Sequence, residues 1–175
     1  MLFNRYQEVS LVRPQAPRHP RHNTEKLWDI ISLPGGLTLF HPFMEKHTAE
    51  RWNGVGSRDH VTYYSGLEYD REVIRWIEGT GFDLKVTENG KHDITVIFRI
   101  TPIGGQRCVL MNIIQADFIK KFPFPIRWAL LKFKMKPVFA PYLYHVQKGL
   151  AYYAETGQQV IRNQFGPHPI MSPEA

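Results

Sequence analysis

Between Ile94 and Thr101, the apolar side chains Ile94, Val96, Phe98 and Ile100 alternate with Thr95, Ile97, Arg99 and Thr101. A period of two with one almost wholly apolar side is the mark of a strand that buries one face. This strand sits inside a run of strand-like segments, Tyr63 to Ile114, after which the period changes. Tyr142, Leu143, Val146, Leu150, Tyr153 and Val160 recur at helical spacing, which predicts one long helix over Pro141 to Val160. Gly149 and Gly157 lie near that stripe, where a missing side chain lets a helix approach a sheet closely. Together these features predict an α+β architecture: a curved antiparallel sheet wrapped around a long C-terminal helix, with an apolar space between them.

The remaining elements fall into place around this pair. Arg5 to Val12 reads as a first strand, followed by a Pro/Arg/His-rich loop, Arg13 to His22. The two histidines of that loop have no acid or cysteine beside them, so no metal site is predicted there. Asn23 is a suitable N-cap for a helix carrying Leu27, Trp28, Ile30 and Ile31, which Pro34-Gly35-Gly36 stops. Leu37 to Arg51 predicts a second short helix, interrupted around His41-Pro42. The chain should thus place two short helices after strand one.

Strands are expected near Arg58–Ser65, Tyr69–Ile77, Phe82–Thr87, Asp93–Thr101 and Arg107–Ile114. Turns at Gly66-Leu67-Glu68, Glu78-Gly79-Thr80-Gly81, Glu88-Asn89-Gly90-Lys91 and Ile103-Gly104-Gly105 join them as a meander. No βαβ alternation is present, which excludes a parallel nucleotide-binding sheet. Ile126 to Met135 predicts a short helix ahead of the long one. Residues 1–162 should make a single domain, and 163–175, with three prolines, a loosely held tail.

Composition narrows the compartment and the partners. Cys108 is the only cysteine, so no intrachain disulfide exists, and its strand context suits a small buried hydrophobe. Met1 to Val12 lacks a secretory pattern, and no stretch approaches the roughly 20 apolar residues of a spanning helix. A cytoplasmic, reducing setting is expected. The formal charge of +6 is local: Phe118 to Ala154 holds seven basic residues and no acidic one. Within it, Lys120 to Lys136 is interleaved with Phe122, Phe124, Trp128 and Phe133. Such a stretch suits peripheral contact with an anionic membrane, suits nucleic acid less well, and otherwise is a solvated helical face. No sequence feature specifies an oligomeric state.

The order of strand, two short helices, meander and long helix resembles the helix-grip fold of the START-like (SRPBCC) superfamily, which includes polyketide cyclase/dehydrase and lipid-transfer families. Three stretches carry the resemblance. Lys26-Leu27-Trp28-Asp29-Ile30-Ile31 is similar to that group's opening helix. Trp52-Asn53-Gly54-Val55-Gly56-Ser57-Arg58-Asp59 is similar to its approach to strand two. Ser65-Gly66 followed by Glu72 resembles the strand that carries a cavity-facing acid in several members. The likeness covers about residues 5 to 160. It implies a hydrophobic ligand cavity between sheet and helix, and no cofactor. It fixes neither a reaction nor a catalytic triad. The loop after strand one is longer than usual, and the basic segment more charged.

Strand parity then selects candidate site residues. On Tyr69–Ile77, one side carries Tyr69, Arg71 and Val73, the other Asp70, Glu72, Ile74 and Trp76. The first side continues through Arg75 and Ile77, and burying its two arginines is costly, while the resemblance places the Glu72 side inward. Glu72 there would act as a proton donor or ligand contact, or as a structural acid paired with a basic residue at the rim. Val61, Tyr63 and Ser65 should face in from the preceding strand, Tyr63 either orienting a ligand or filling core. Asn112 shares the face of Cys108 and Leu110 and needs a partner. The expected ligand contacts are therefore Tyr63, Glu72, Ile74, Trp76, Phe98 and Asn112, with Leu143 and Val146 on the helix. His41 or His145 is a candidate base beside Glu72 in a metal-free, cyclase- or dehydratase-like enzyme. The sequence thus supports a binder or carrier of a small hydrophobic or aromatic molecule, with that enzyme as the alternative.

Overall fold

The computed structural model describes residues 9–10, 23–88, 90–102 and 108–174. The Pro/Arg/His loop, Asn89, the Ile103-Gly104-Gly105 turn and most of the expected first strand lie outside the described residues. Along the chain come β1 (Val9–Ser10), α1 (Asn23–Ile31), α2 (Leu37–Phe40), β2 (Met44–Arg51), β3 (Arg58–Tyr63), β4 (Glu68–Ile77), β5 (Gly81–Glu88), β6 (Lys91–Pro102) and β7 (Cys108–Ala116). A 3₁₀ turn (Asp117–Lys121), α3 (Phe124–Leu130), a π turn (Leu131–Met135) and α4 (Lys136–Thr156) follow.

Among the described residues the strands form one antiparallel sheet in the order β1-β7-β6-β5-β4-β3-β2. From β2 to β7 each strand pairs with its neighbour in sequence, and β1 joins the far edge through Val9 opposite Ile114. This is the meander read from the turn chemistry. β6 also keeps its alternation: Ile94, Val96 and Phe98 face the helix side, and Ile100 is buried.

The second short helix is present and stops where the sequence indicates, at His41-Pro42: it is the single turn Leu37–Phe40. The rest of Leu37 to Arg51 departs from the expectation, since Met44–Arg51 is an edge strand. Pro42 ends the helix. The Glu, Lys, Ala and Arg of β2 favour helix locally, yet pairing with β3, Val61 opposite His47 for instance, overrides that preference. Exposed Glu45, Lys46 and Glu50 place charge on a sheet edge, which discourages pairing with other chains.

The long helix also begins earlier than its apolar stripe indicates. α4 starts at Lys136, carries Pro141 inside it and stops at Thr156. Gly157, with φ 70°, adopts the left-handed conformation that ends it, its N–H donating to the Tyr153 carbonyl at 2.8 Å. Val160 therefore lies beyond the helix, though buried, and its N–H bonds the Leu39 carbonyl at 2.9 Å.

Gly149 does permit a close approach, but to α2 and not to the sheet. A Cβ on it would stand 2.0 Å from the Phe40 carbonyl oxygen and 3.2 Å from its carbon. Backbone cannot give way as a side-chain tip can. Gly149→Ala is expected to cost about 1–3 kcal/mol or more, read as a lower urea midpoint. A midpoint equal to the parent's would show that α4 slides freely on α2.

The C-terminal stretch expected to be a loosely held tail is packed instead. His168 is 1% exposed; its Nε2–H donates to the Val138 carbonyl at 3.0 Å. Its Nδ1 accepts from the N–H groups of Ile170 and Met171 at 3.3 and 3.1 Å. The Ser65 N–H in turn donates to the Met171 carbonyl at 3.1 Å. One buried imidazole thus ties the segment to the start of α4, while Met171 joins the core. The prolines that suggested looseness lower the cost of holding an extended segment in place.

Buried apolar side chains form two clusters. One gathers Trp28, Phe40, Trp52, Val73, Phe82, Leu84, Leu110 and Leu150; the smaller holds Phe43, Met44, Val61, Tyr63 and Met171.

Candidate ligand cavity

Between the sheet and α4 lies a cavity of about 90 Å³ whose wall draws on both clusters. β6 supplies Ile94, Val96 and Phe98; α4 supplies Tyr142, Leu143 and Val146; Met44 and Met171 add flexible thioethers. Six polar side chains interrupt this apolar lining: His41, Tyr63, Tyr69, Arg71, Asn112 and Tyr142.

His41, Tyr142 and Tyr63 form a chain of hydrogen bonds. The Phe43 N–H donates to His41 Nδ1 at 3.2 Å, so the ring proton sits on Nε2 and donates to the Tyr142 hydroxyl at 3.0 Å. Tyr142 and Tyr63 share a second bond, Oη to Oη, of 2.9 Å. The imidazole and two phenols bring three donor hydrogens to two contacts. One phenolic O–H is therefore left over for a third acceptor, whichever phenol donates to the other. Burial, reinforced by the Arg71 charge and His47, lowers the His41 pKa from 6.5 to about 3, so this ring is neutral. Burial pushes Tyr63 upward, and Tyr142 well above the ordinary phenol range. The cluster is an uncharged donor-rich spot in a greasy wall.

Arg71 belongs to a second network. Asp59 on β3 stands directly opposite Arg71 on β4. The Arg71 Nε–H donates to Asp59 Oδ1 at 2.7 Å, and its Nη2 to Oδ2. The Leu37 N–H donates to His47 Nδ1 at 3.2 Å, leaving His47 Nε2–H for Asp59 Oδ2 at 2.8 Å. Burial alone would raise the Asp59 pKa, but the Arg71 charge and the two donors outweigh it and hold the carboxyl below its ordinary value. Arg71 is held above its own by the same carboxylate, against its burial.

Tyr63, Phe98, Asn112, Leu143 and Val146 thus line the cavity as the strand and helix parities predict. Asn112 Oδ1 is buried and has no hydrogen-bond partner among the described residues, which leaves an acceptor on the β7 wall. Glu72, Ile74 and Trp76 do not line it. Glu72 lies on the opposite face, 3.4 Å from Arg58, in an open polar groove of about 380 Å³ with His60, Asp70 and Lys85. That groove is larger, but its charged walls suit water better than an apolar guest.

The cause is an extra residue in β4. The register slips between Val73 and Arg75, so Ile74 bulges outward, 46% exposed, and parity reverses after it. Arg71 and Val73 face in before the bulge. Trp76 faces in after it and packs edge-on against Trp28 at 5.0 Å, far enough along to join the solid aromatic cluster. Ser65 lies exposed in the turn beyond β3.

His145 does not reach the cavity either. It sits beside Gly166, 3.4 Å from the position a Cβ would take there, and near Phe43. Burial, with Lys148 and His168 nearby, lowers its pKa. Glu72, His41 and His145 are therefore not brought together, and the acid–base pairing expected of them has no geometric basis here. Burial raises the Cys108 thiol, which keeps it an inert core group. Among the described residues no helix is long and apolar enough to cross a membrane.

Asp59, Arg71, His47 and Tyr142 are the residues that sequence reasoning missed. One signal was present: Asp59 shares the inward parity of Val61 and Tyr63, and a buried acid demands a cation. Counting back from the Gly66 turn sets Arg71 opposite it.

No protein-family model matches the sequence, and no curated protein matches it either. Solved structures do match in shape. DynU16, a protein of the dynemicin biosynthetic locus, aligns with TM-score 0.55 at 16% identity over 89% of this chain and 49% of its own. The chain thus spans about half the length of that protein. Ginseng major latex-like protein 151 from Panax ginseng aligns with TM-score 0.56 at 13% identity, covering 83% of this chain and 96% of that one. Protein SSP2350 from Staphylococcus saprophyticus gives 0.57 at 13%, covering 88% and 98%. At such identities the likeness is one of fold alone, and that fold is the α+β helix-grip fold, a curved antiparallel sheet with a long C-terminal helix.

Proposed function

We propose that the protein binds a small, mostly apolar molecule carrying at least one oxygen, held in the cavity between sheet and α4. The reading is carried by one observation: an apolar space whose wall, among the described residues, keeps an unspent phenolic O–H and an unpartnered amide oxygen, Asn112 Oδ1. A buried polar group without a partner costs about 1–3 kcal/mol, so a guest that supplies the partner regains that amount. The shared fold with a protein of a biosynthetic locus is consistent with such a guest.

Volume limits its size. About 90 Å³ is well below the roughly 300 Å³ at which drug-sized ligand pockets begin, so a guest larger than a single ring requires Met44 and Met171 to move. Catalysis has no comparable support, because a histidine with a pKa of about 3 is a poor base at neutral pH.

Native mass spectrometry of the purified protein should reveal a co-purified small molecule. Of two ring compounds of nearly equal size, p-cresol should bind about five- to tenfold more tightly than p-xylene. In Asn112→Val, which removes the unpartnered amide oxygen, that preference should shrink to about twofold to threefold. Equal affinity for both compounds in the parent, or no binding of either, would end this reading.

A further inference from the structure

Five of the eleven large apolar side chains exposed among the described residues crowd into one stretch: Phe122, Phe124, Ile126, Trp128 and Phe133. Phe124 and Phe133 are 61% and 62% exposed, and neither α3 nor the π turn after it buries a single residue. A helix that only covers a domain turns its polar side outward. Here the outward side carries aromatic rings, and a patch of this kind marks a contact surface.

The charge on the same face names the partner. No acidic residue occurs from Phe118 to Ala154, while Lys120, Lys121, Arg127, Lys132, Lys134 and Lys136 alternate along the chain with the aromatic positions. Among the described residues no ion pair engages Arg127, Lys132, Lys134 or Lys136. The cations stand over the rings: Lys132 Nζ lies 4.6 Å from the Trp128 ring centre and 5.3 Å from that of Phe133, and Arg127 lies 5.8 Å from that of Phe124. Long basic stems beside aromatic rings can rise to charged headgroups while the rings sink below them. Lysine is depleted at the centre of protein–protein interfaces, which disfavours a second protein as the occupant. Single-stranded nucleic acid favours a basic groove with stacked aromatics, whereas this is the side of a helix and also presents aliphatic Ile126, 49% exposed.

We propose that the surface from Lys120 to Lys136 docks on an anionic lipid bilayer, its aromatic side chains entering the headgroup boundary and its lysines resting on the phosphates. This goes beyond the cavity reading and does not depend on it. The face is built for surface contact and not for spanning.

The test is flotation of the full chain with phosphatidylcholine vesicles, with and without one-third phosphatidylserine. The protein should float only with the anionic vesicles. Lys132→Ala and Lys134→Ala should each weaken partition about fivefold, and their effects should vanish at high salt. Phe124→Ser/Phe133→Ser should weaken it at least tenfold with circular dichroism and urea midpoint unchanged, since both positions are exposed. No flotation with anionic vesicles overturns the proposal. So does flotation that ignores the phenylalanine changes, or binding to a single-stranded oligonucleotide in place of vesicles.

Discussion

Acidification from pH 7 to pH 4 is expected to remove about 3 kcal/mol of folding stability through His41 alone. The ring titrates near 6.5 when the chain is unfolded and near 3 when it is buried beside Tyr142. Between those values the unfolded chain binds more protons than the folded one, so stability rises with pH across that window. The contribution is fully present above the unfolded value and is lost as pH falls through 6.5 towards 3. His41→Gln retains an amide that can accept from the Phe43 N–H and donate to Tyr142, but it does not titrate. Urea denaturation at pH 4, 5, 6 and 7 should therefore give a slope shallower by about 1 kcal/mol per pH unit in this variant. Equal slopes would mean that protonation reaches His41 without unfolding the site. Asp59 also loses stability in acid, as its lowered carboxyl is protonated, but that part is common to both proteins and cancels in the comparison.

The second large effect concerns Asp59 itself. Asp59→Ala should destabilise the protein by about 3–5 kcal/mol, because it strands the Arg71 guanidinium and the His47 N–H in a buried wall. For a chain of this length that corresponds to a fall in Tm of about 10–15 °C. Asp59→Leu combined with Arg71→Met should recover most of the loss, since an apolar pair of similar volume removes the stranded charge as well as its partner. A double variant no more stable than Asp59→Ala would show that the ion pair also fixes the β3–β4 register.

Those two networks differ in how far the sequence revealed them. The meander was legible because strands of period two and glycine-rich turns are local signals. The inward sets Val61 and Tyr63 on β3 and Ile94, Val96 and Phe98 on β6 followed from parity alone. Parity failed on β4 for a specific reason. Arg71 looked too costly to bury only while Asp59 went unnoticed, and the outward bulge at Ile74 separates Arg71 from Trp76, so neither choice of face for the whole strand was right. Glu72 was favoured by resemblance, yet it belongs to the outer groove with Arg58.

The long helix and the tail show the same division. The apolar stripe marked where α4 buries its side chains, Leu143, Val146 and Leu150, but not where it starts, because the basic turns before it are helical without being buried. The prolines after Gly157 suggested looseness, while the contacts that hold the segment come from His168, Val138 and Ser65, distant in sequence.

Alternation, helical period and turn residues were enough to determine the sheet, the grip helix and the apolar character of the space between them, since each depends on neighbours a few positions apart. Which polar groups share that space was decided only by the fold. His41, Tyr142 and Tyr63 come from α2's end, α4 and β3, and the hydrogen bonds that join them depend on distances that no local pattern encodes.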